Sequence, residues 1–128
     1  MSTTLSETER ADLARTLIYI LEQWQIPEED QIALMGLGEQ IKARHLSRFK
    51  NGEALPNDPE VMERARHLVG IHEAIEYNNP ANPRVGFLWL KNRNKYFTHR
   101  TPLQVMLEDG LPGLHHVWVK LDCTQGWD

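Results

Sequence analysis

The chain has 128 residues, of which 41% are hydrophobic and 25% charged, a composition typical of a globular protein with one domain or two small ones. Its net charge of −4 argues against a protein that coats nucleic acid non-specifically, because such binding depends on neutralising phosphates. Cys123 is the only cysteine, which excludes an intrachain disulfide framework and a cysteine-rich zinc site. The sequence has neither an apolar run near the roughly 20 residues of a membrane span nor a secretory signal, so we predict a cytoplasmic protein without membrane contact.

Three helices are predicted in the N-terminal part. Residues 6–9 (Ser-Glu-Thr-Glu) fit a capping box that opens a helix over residues 7–25. Pro27 suits the first position of a second, short helix, which ends at Gly36. A third helix is predicted over residues 39–50.

The third predicted helix is basic and contains a stretch without acidic residues. The three predicted helices, with a glycine-containing turn between the second and the third, have the number and size of a helix-turn-helix module. Such a module places a recognition helix in a DNA major groove, and the basic third helix fits that part. Arg44 and Arg48 are four residues apart, so they share a face that suits contact with a guanine edge or a phosphate. The alternative is that these charges are solvated on a surface helix. The predicted DNA-binding residues are Lys42, Arg44, His45, Arg48 and Lys50.

The C-terminal part predicts four more helices and no convincing strand, so the predicted fold class is all-α. A linker at residues 55–57 divides the chain into a domain of residues 1–57 and a domain of residues 58–128. Asp58 followed by proline opens a long helix that ends near residue 77. The later helices are predicted over residues 84–91, 101–109 and 112–123, with a basic loop over residues 92–100 and a free tail over residues 124–128.

The sequence contains no pattern of an enzyme active site. It lacks a G-x-S-x-G elbow and a phosphate-binding glycine loop, and we predict a non-enzymatic protein without a cofactor. No sequence-local pair of histidines has metal-ligand spacing, since His67 and His72 are five apart. His72 lies on the apolar stripe of its helix and is interpreted as a hydrogen-bonded core or interface residue.

Aromatic residues are concentrated in the C-terminal part, beside a second acid-free stretch between Glu76 and Glu108. Tyrosine, tryptophan and arginine are the residue types enriched at interface hot spots. Trp89 and Phe97 have the alternative interpretation of simple core residues. Trp127 lies in the tail and is expected to bury against a partner rather than in the core of its own chain.

An ordered series of motifs resembles the Xre/MbcA/ParS antitoxin family over about residues 15–122. The toxin-binding domain of that family is matched by Trp89-Leu90, Thr101-Pro102-Leu103, Gly110 and the final Leu121-Asp122. The upstream helix-turn-helix of the family is similar to Leu34-Met35-Gly36-Leu37, to Gly52 through Pro56, and to Leu68-Val69-Gly70-Ile71 with Ala74.

Four positions depart from the family pattern. Arg93 stands where the family usually has proline, and Thr98-His99 stand where it favours glycines. Trp118 takes the place of a common arginine in the last helix. The third helix, as predicted, is about four residues longer than the compact pattern of the family.

The resemblance implies the antitoxin of a type II toxin–antitoxin system. The implied partner is a RES-domain toxin that acts on NAD, neutralised by the C-terminal domain with the tail occluding its active site. Burying Trp127 would contribute up to about 3 kcal/mol to that contact. The resemblance also implies a homo-oligomer, at least a dimer, that autoregulates its operon by binding operator DNA. The residues expected to contact the toxin are Arg93, Asn94, Phe97, Arg100, Trp118, Thr124, Gln125, Gly126, Trp127 and Asp128.

The alternative function is a stand-alone helix-turn-helix transcriptional regulator. In that case the C-terminal half would serve only for dimerisation.

Overall fold

The computed structural model describes residues 5–38 and 41–123, and in this part of the chain all regular structure is helical, which confirms the all-α class. Two 3₁₀ turns, Ala43–His45 and Lys95–Phe97, accompany the α-helices. No described helix has both the length and the apolarity that a membrane span requires. The α-helices are α1 (Glu7–Gln23), α2 (Glu28–Met35), α3 (Leu46–Lys50), α4 (Pro59–Asn78), α5 (Arg84–Leu90), α6 (Pro102–Asp109) and α7 (Leu111–Cys123).

The chain divides into two compact units, Met1–Ala65 and Arg66–Asp128, and the division falls inside α4. The sequence-based boundary lay before this helix, at the linker. The first turns of α4 belong to the first unit because Arg64 donates to the backbone oxygens of Ala33 at 3.3 Å and of Leu34 at 3.4 Å. Carbonyls at a helix C-terminus lack intrahelical partners, so this arginine caps α2.

The helix boundaries of the first unit follow from local capping. The predicted capping box is confirmed: Ser6 Oγ accepts from Glu9 N at 3.1 Å, and Glu9 Oε1 accepts from Ser6 N at 2.8 Å. Helix α2 ends where Gly36 takes a left-handed conformation with φ 79°, as its glycine predicts. The fully buried large side chains of the unit come from all three helices and their connections; they include Leu17, Leu21, Trp24, Leu34, Leu46, Phe49 and Leu55.

The third helix begins later than predicted. Its described part is the 3₁₀ turn followed by the five-residue α3, whereas Ile41 and Lys42 are not helical. Lys42 is extended, and its N–H donates to Nδ1 of His45 at 3.2 Å, so the side chain of His45 caps the turn. The predicted start of the third helix, at residue 39, was therefore wrong, because the described residues directly before Ala43 are not helical. Glu39 and Gln40 lie outside the described residues.

The second unit contains the end of α4 with α5, α6 and α7. The predicted cap of α6 is confirmed, because Thr101 Oγ1 accepts from Gln104 N at 2.9 Å and Gln104 Oε1 accepts from Thr101 N at 2.8 Å. Residues 84–90 are helical, as favoured from the sequence. The inward residues predicted for α7 are all buried: Leu114, Val117 and Leu121.

Candidate partner-binding surface

The basic loop between α5 and α6 has a hydrogen-bonded backbone. Asn94 N donates to Arg100 O at 3.1 Å, and His99 N donates to Asn94 O at 3.0 Å, which closes the loop on itself. The side chain of Asn94 accepts from Tyr96 N at 2.8 Å and starts the 3₁₀ turn inside the loop. Asn94, which the sequence assigns to toxin contact, therefore uses its polar groups to shape the loop.

Three basic side chains project from this loop. Arg93, Lys95 and His99 are exposed, and none of them forms an ion pair with another described residue. Tyr96 lies among them and is 48% exposed. Of these four residues, only Arg93 is among the toxin contacts predicted from the sequence. The other three lie in the acid-free stretch, which is the sequence feature that points to them.

Two consecutive loop residues have left-handed backbones. Thr98 has φ 59° and His99 has φ 67°, in a region of backbone conformation that glycine adopts most readily. The loop therefore keeps the conformation that glycines would give it, at a cost of about 1 kcal/mol or more for each residue with a Cβ. A β-branched residue such as Thr98 is especially unfavourable in this region.

Two predicted toxin-contact residues have side chains that are buried or already paired within the unit. Phe97 is 1% exposed and belongs to the core of the unit, which was its alternative interpretation. Arg100 is engaged in the chain: Nη1 donates to Glu108 Oε1 at 3.2 Å, and Nη2 donates to Asp109 Oδ2 at 3.1 Å. Arg100 thus joins the end of the basic loop to the end of α6.

The ion pair of Arg100 changes the acidity of its partner. The hydrogen bond from Arg100 holds the pKa of the Asp109 carboxyl below its ordinary value of 3.8, because it stabilises the ionised form. The pKa of the Arg100 guanidinium is raised for the same reason, first by Asp109 and then by Glu108.

The side chain of Trp118, a residue of α7, packs against α4 and lies away from this loop. A Cβ on Gly70 would overlap the indole ring of Trp118, so only glycine at position 70 lets the ring lie against the helix. His67 packs against the same ring edge to face, with 5.0 Å between centroids, and the guanidinium carbon of Arg66 lies 5.3 Å from the ring centroid. Trp118, predicted to contact the toxin, is a half-buried packing residue in the described structure.

Helix α7 consequently has two different exposed sides. On one side His116 packs against Tyr96 of the basic loop, with 5.3 Å between ring centroids, and Lys120 Nζ lies 4.5 Å from the Tyr96 centroid. On the other side Trp118 and Asp122 line a groove of about 400 Å³ together with residues of α4. The basic loop and the groove are thus separate features of the second unit.

The predicted DNA-binding residues all lie on the 3₁₀ turn and α3 or directly before them, in the first unit. Lys42, Arg44 and Arg48 are exposed, and none of the three pairs with an acidic group among the described residues. His45 is half-buried and caps its own turn, and Lys50 Nζ forms a 2.7 Å ion pair with Glu22 Oε2. The described structure leaves the first three as the exposed unpaired cations of this segment.

The fold brings together two histidines that are far apart in the sequence. His67 Nε2 and His115 Nδ1 lie 3.4 Å apart, a pair that sequence spacing could not reveal because 48 positions separate them. His72, interpreted as a core or interface histidine, is 8% exposed and its Nε2 lies 3.4 Å from Glu76 Oε2. Among the residues that the structure describes, no three histidine, cysteine or acidic side chains are grouped as metal ligands would be.

The tail residues assigned to toxin contact, Thr124 through Asp128, lie outside the described residues.

The chain matches no protein-family model. It is 27% identical over 107 residues to the uncharacterized protein y4oB of Sinorhizobium fredii, an alignment that covers 84% of this chain and 79% of that protein.

Proposed function

We propose that this chain is the antitoxin of a type II toxin–antitoxin pair, which binds and neutralises a RES-domain toxin acting on NAD. The observation that carries the proposal is the basic loop, in which Arg93, Lys95 and His99 stand exposed and unpaired on a hydrogen-bonded backbone. A fixed backbone lowers the entropy lost when side chains engage a partner, which favours tight protein binding. The motif series of the C-terminal part supports the choice of partner.

In this proposal the chain acts by occlusion and performs no chemistry of its own. The C-terminal domain holds the cytoplasmic toxin, and residues 124–128 enter its active site, with Trp127 as the apolar anchor. No cofactor is required for this role.

The test is inhibition of the toxin encoded by the adjacent reading frame. We expect the full chain to co-purify with that protein and to abolish its consumption of NAD. Deletion of residues 124–128 should restore the toxin activity while circular dichroism shows an unchanged helical content. Full inhibition by the truncated chain would refute the occlusion mechanism. Unchanged toxin activity in the presence of the full chain would refute the proposal.

A matched pair of variants separates toxin binding from DNA binding. Combined Arg93→Ala, Lys95→Ala and His99→Ala should weaken toxin binding and leave operator binding intact. Combined Arg44→Ala and Arg48→Ala should do the reverse, because these exposed cations belong to the other unit. Loss of operator binding with intact neutralisation would establish autoregulation as a separate activity.

The second candidate function is a stand-alone transcriptional regulator. It is favoured by the exposed, unpaired Lys42, Arg44 and Arg48 on a segment without acidic residues. An electrophoretic shift with DNA from upstream of the gene tests it, and a wild-type chain that binds no such DNA would discard it.

The proposal includes self-association of at least two copies. Val85 and Leu88 lie three residues apart on α5 and are 47% and 63% exposed, so this helix presents an apolar side of the kind that subunits cover. Sedimentation equilibrium should give a dimer or larger assembly, and Leu88→Lys should shift it toward the monomer. A monomeric wild-type chain would contradict this part.

A further inference from the structure

The groove between α4 and α7 has a charge opposite to that of the basic loop. Two of its lining residues, Glu73 and Asp122, are exposed acids that form no ion pair with another described residue. No lysine or arginine lines it. The remaining lining is apolar or neutral, with Ala74 and Leu121 along it and the aromatic ring of Trp118 on one side.

The two helices that form the groove run in the same direction. His67 contacts His115, Gly70 contacts Trp118, and Asn78 Nδ2 donates to Leu121 O at 3.3 Å, so the contact positions advance together along both helices. Both helices therefore end at the same end of the groove.

Two helix C-termini at one place create negative potential. A helix C-terminus carries the equivalent of up to about half a negative charge, and the hydrogen bond from Asn78 Nδ2 to Leu121 O offsets part of it here. The last turn of α4 contains no basic residue. The last turn of α7 contains Lys120, but its Nζ lies over Tyr96 on the other side of that helix. The two termini and the two carboxylates thus favour a cation at this end of the groove.

An aromatic side chain stands at the same end. Tyr77 lines the groove and is 86% exposed, an unusual degree of exposure for a large aromatic residue. Aromatic faces attract guanidinium and ammonium groups, and carboxylates give them charge-assisted hydrogen bonds. The guanidinium of Arg66 over the Trp118 ring is an example of such a contact, made outside the lining of the groove.

We infer that this groove is the docking site for a basic segment of a partner protein, with an arginine or lysine side chain held between Tyr77, Glu73 and Asp122. The volume of about 400 Å³ accommodates one or two side chains rather than a whole helix. Residues 124–128 of this chain are not the matching occupant, because they contain no lysine or arginine. The inference rests on the proposed function only in taking the occupant to be a protein.

The test compares two blocked dipeptides of the same shape, acetyl-Leu-Arg-amide and acetyl-Leu-citrulline-amide, by NMR titration of the full ¹⁵N-labelled chain. Citrulline keeps the planar side chain and removes its charge. We expect the arginyl peptide to shift the amides of Gly70, Ala74 and Leu121 and the indole N–H of Trp118, and to bind about tenfold more tightly than the citrullyl peptide. The indole resonance is assigned from its loss in Trp118→Phe.

A variant and a matched control test whether the two carboxylates of the groove recognise the charge of the arginine. Combined Glu73→Gln and Asp122→Asn should remove the preference for arginine, whereas Glu29→Gln with Glu53→Gln makes the same change of net charge on exposed residues of the other unit and should preserve it. Equal binding of the two peptides, or shifts confined to other residues, would overturn the inference. So would spermidine shifting these resonances when the arginyl peptide does not, since the site would then take a free polyamine. The titration uses no toxin, so its outcome is independent of the neutralisation assay.

Discussion

The two exposed sides of α7 carry opposite charge and are built in different ways. The basic loop on one side is closed by hydrogen bonds among Asn94, His99 and Arg100, residues close together in the sequence. The groove on the other side depends on Gly70 and Trp118, which lie on different helices and meet only in the folded unit. A surface made by local bonds tolerates change in the rest of the fold, whereas a surface made by helix packing depends on the size of single side chains.

The largest effect is expected from enlarging position 70. An alanine in place of glycine inside a helix normally raises the free energy of unfolding by roughly 1 kcal/mol. Here Gly70→Ala should lower it by about 2 kcal/mol, because the new Cβ overlaps the Trp118 ring. Urea denaturation measures the difference, and the same substitution in a Trp118→Ala background should be neutral or stabilising.

Gly38→Ala is the control for the Gly70→Ala substitution, because a Cβ at Gly38 meets no atom within 4 Å. It should change the free energy of unfolding by less than about 0.5 kcal/mol. A Gly70→Ala chain more stable than the wild type would show that the two helices do not depend on close contact with the indole.

Relieving the strained turn of the basic loop should raise the free energy of unfolding, by less than Gly70→Ala lowers it. Thr98→Gly should raise the free energy of unfolding by about 1 kcal/mol, since glycine adopts the left-handed backbone without the Cβ penalty. His99→Gly should raise it by less, because histidine lacks the β-branch of threonine. Thermal unfolding measures both variants. The control is Thr98→Ala, which removes most of the side chain but keeps the Cβ, so that it separates relief of strain from loss of the side chain. An equal gain of stability in Thr98→Ala and Thr98→Gly would refute the explanation.

The smallest effect concerns the exposed ion pair at the base of the loop. The pKa of Asp109 is lower in the folded state than its ordinary 3.8, so the pair stabilises the fold above pH 3.8 and this contribution is lost as the pH falls through the folded value. Arg100→Gln should remove this part of the pH dependence and leave the melting temperature near neutral pH only slightly lower. Melting curves from pH 2.5 to 6 measure it; identical profiles for variant and wild type would mean that the pair does not influence stability.

The sequence predicted the parts of the fold that are fixed over a few residues. The capping residues Ser6 and Thr101 and the terminating Gly36 mark helix ends by hydrogen bonds or backbone conformations that involve only near neighbours. The start of the third helix was missed because it depends on the extended backbone of Lys42 and on the ring of His45 turning back to it. Local helix propensity does not distinguish that arrangement from a continuous helix.

For the candidate site, the sequence predicted a basic segment but not which of its side chains are exposed on the surface. The acid-free segment between Glu76 and Glu108 located the basic loop, but which side chains remain available was decided elsewhere. Phe97 is buried by packing, and Arg100 is engaged by Glu108 and Asp109. Burial and pairing depend on neighbours that composition does not specify.

The sequence by itself determined an all-helical chain, the ends of most helices and the residues that α7 turns inward, because periodicity and caps act over one or two turns. Only the tertiary structure decided that α4 and α7 run in parallel, that Gly70 holds Trp118, and that Glu73, Tyr77 and Asp122 line one groove. These residues are distant in the sequence, and no local rule states which helix faces will meet. Their proximity is set by the packing of side chains of particular size, which exists only once the unit has folded.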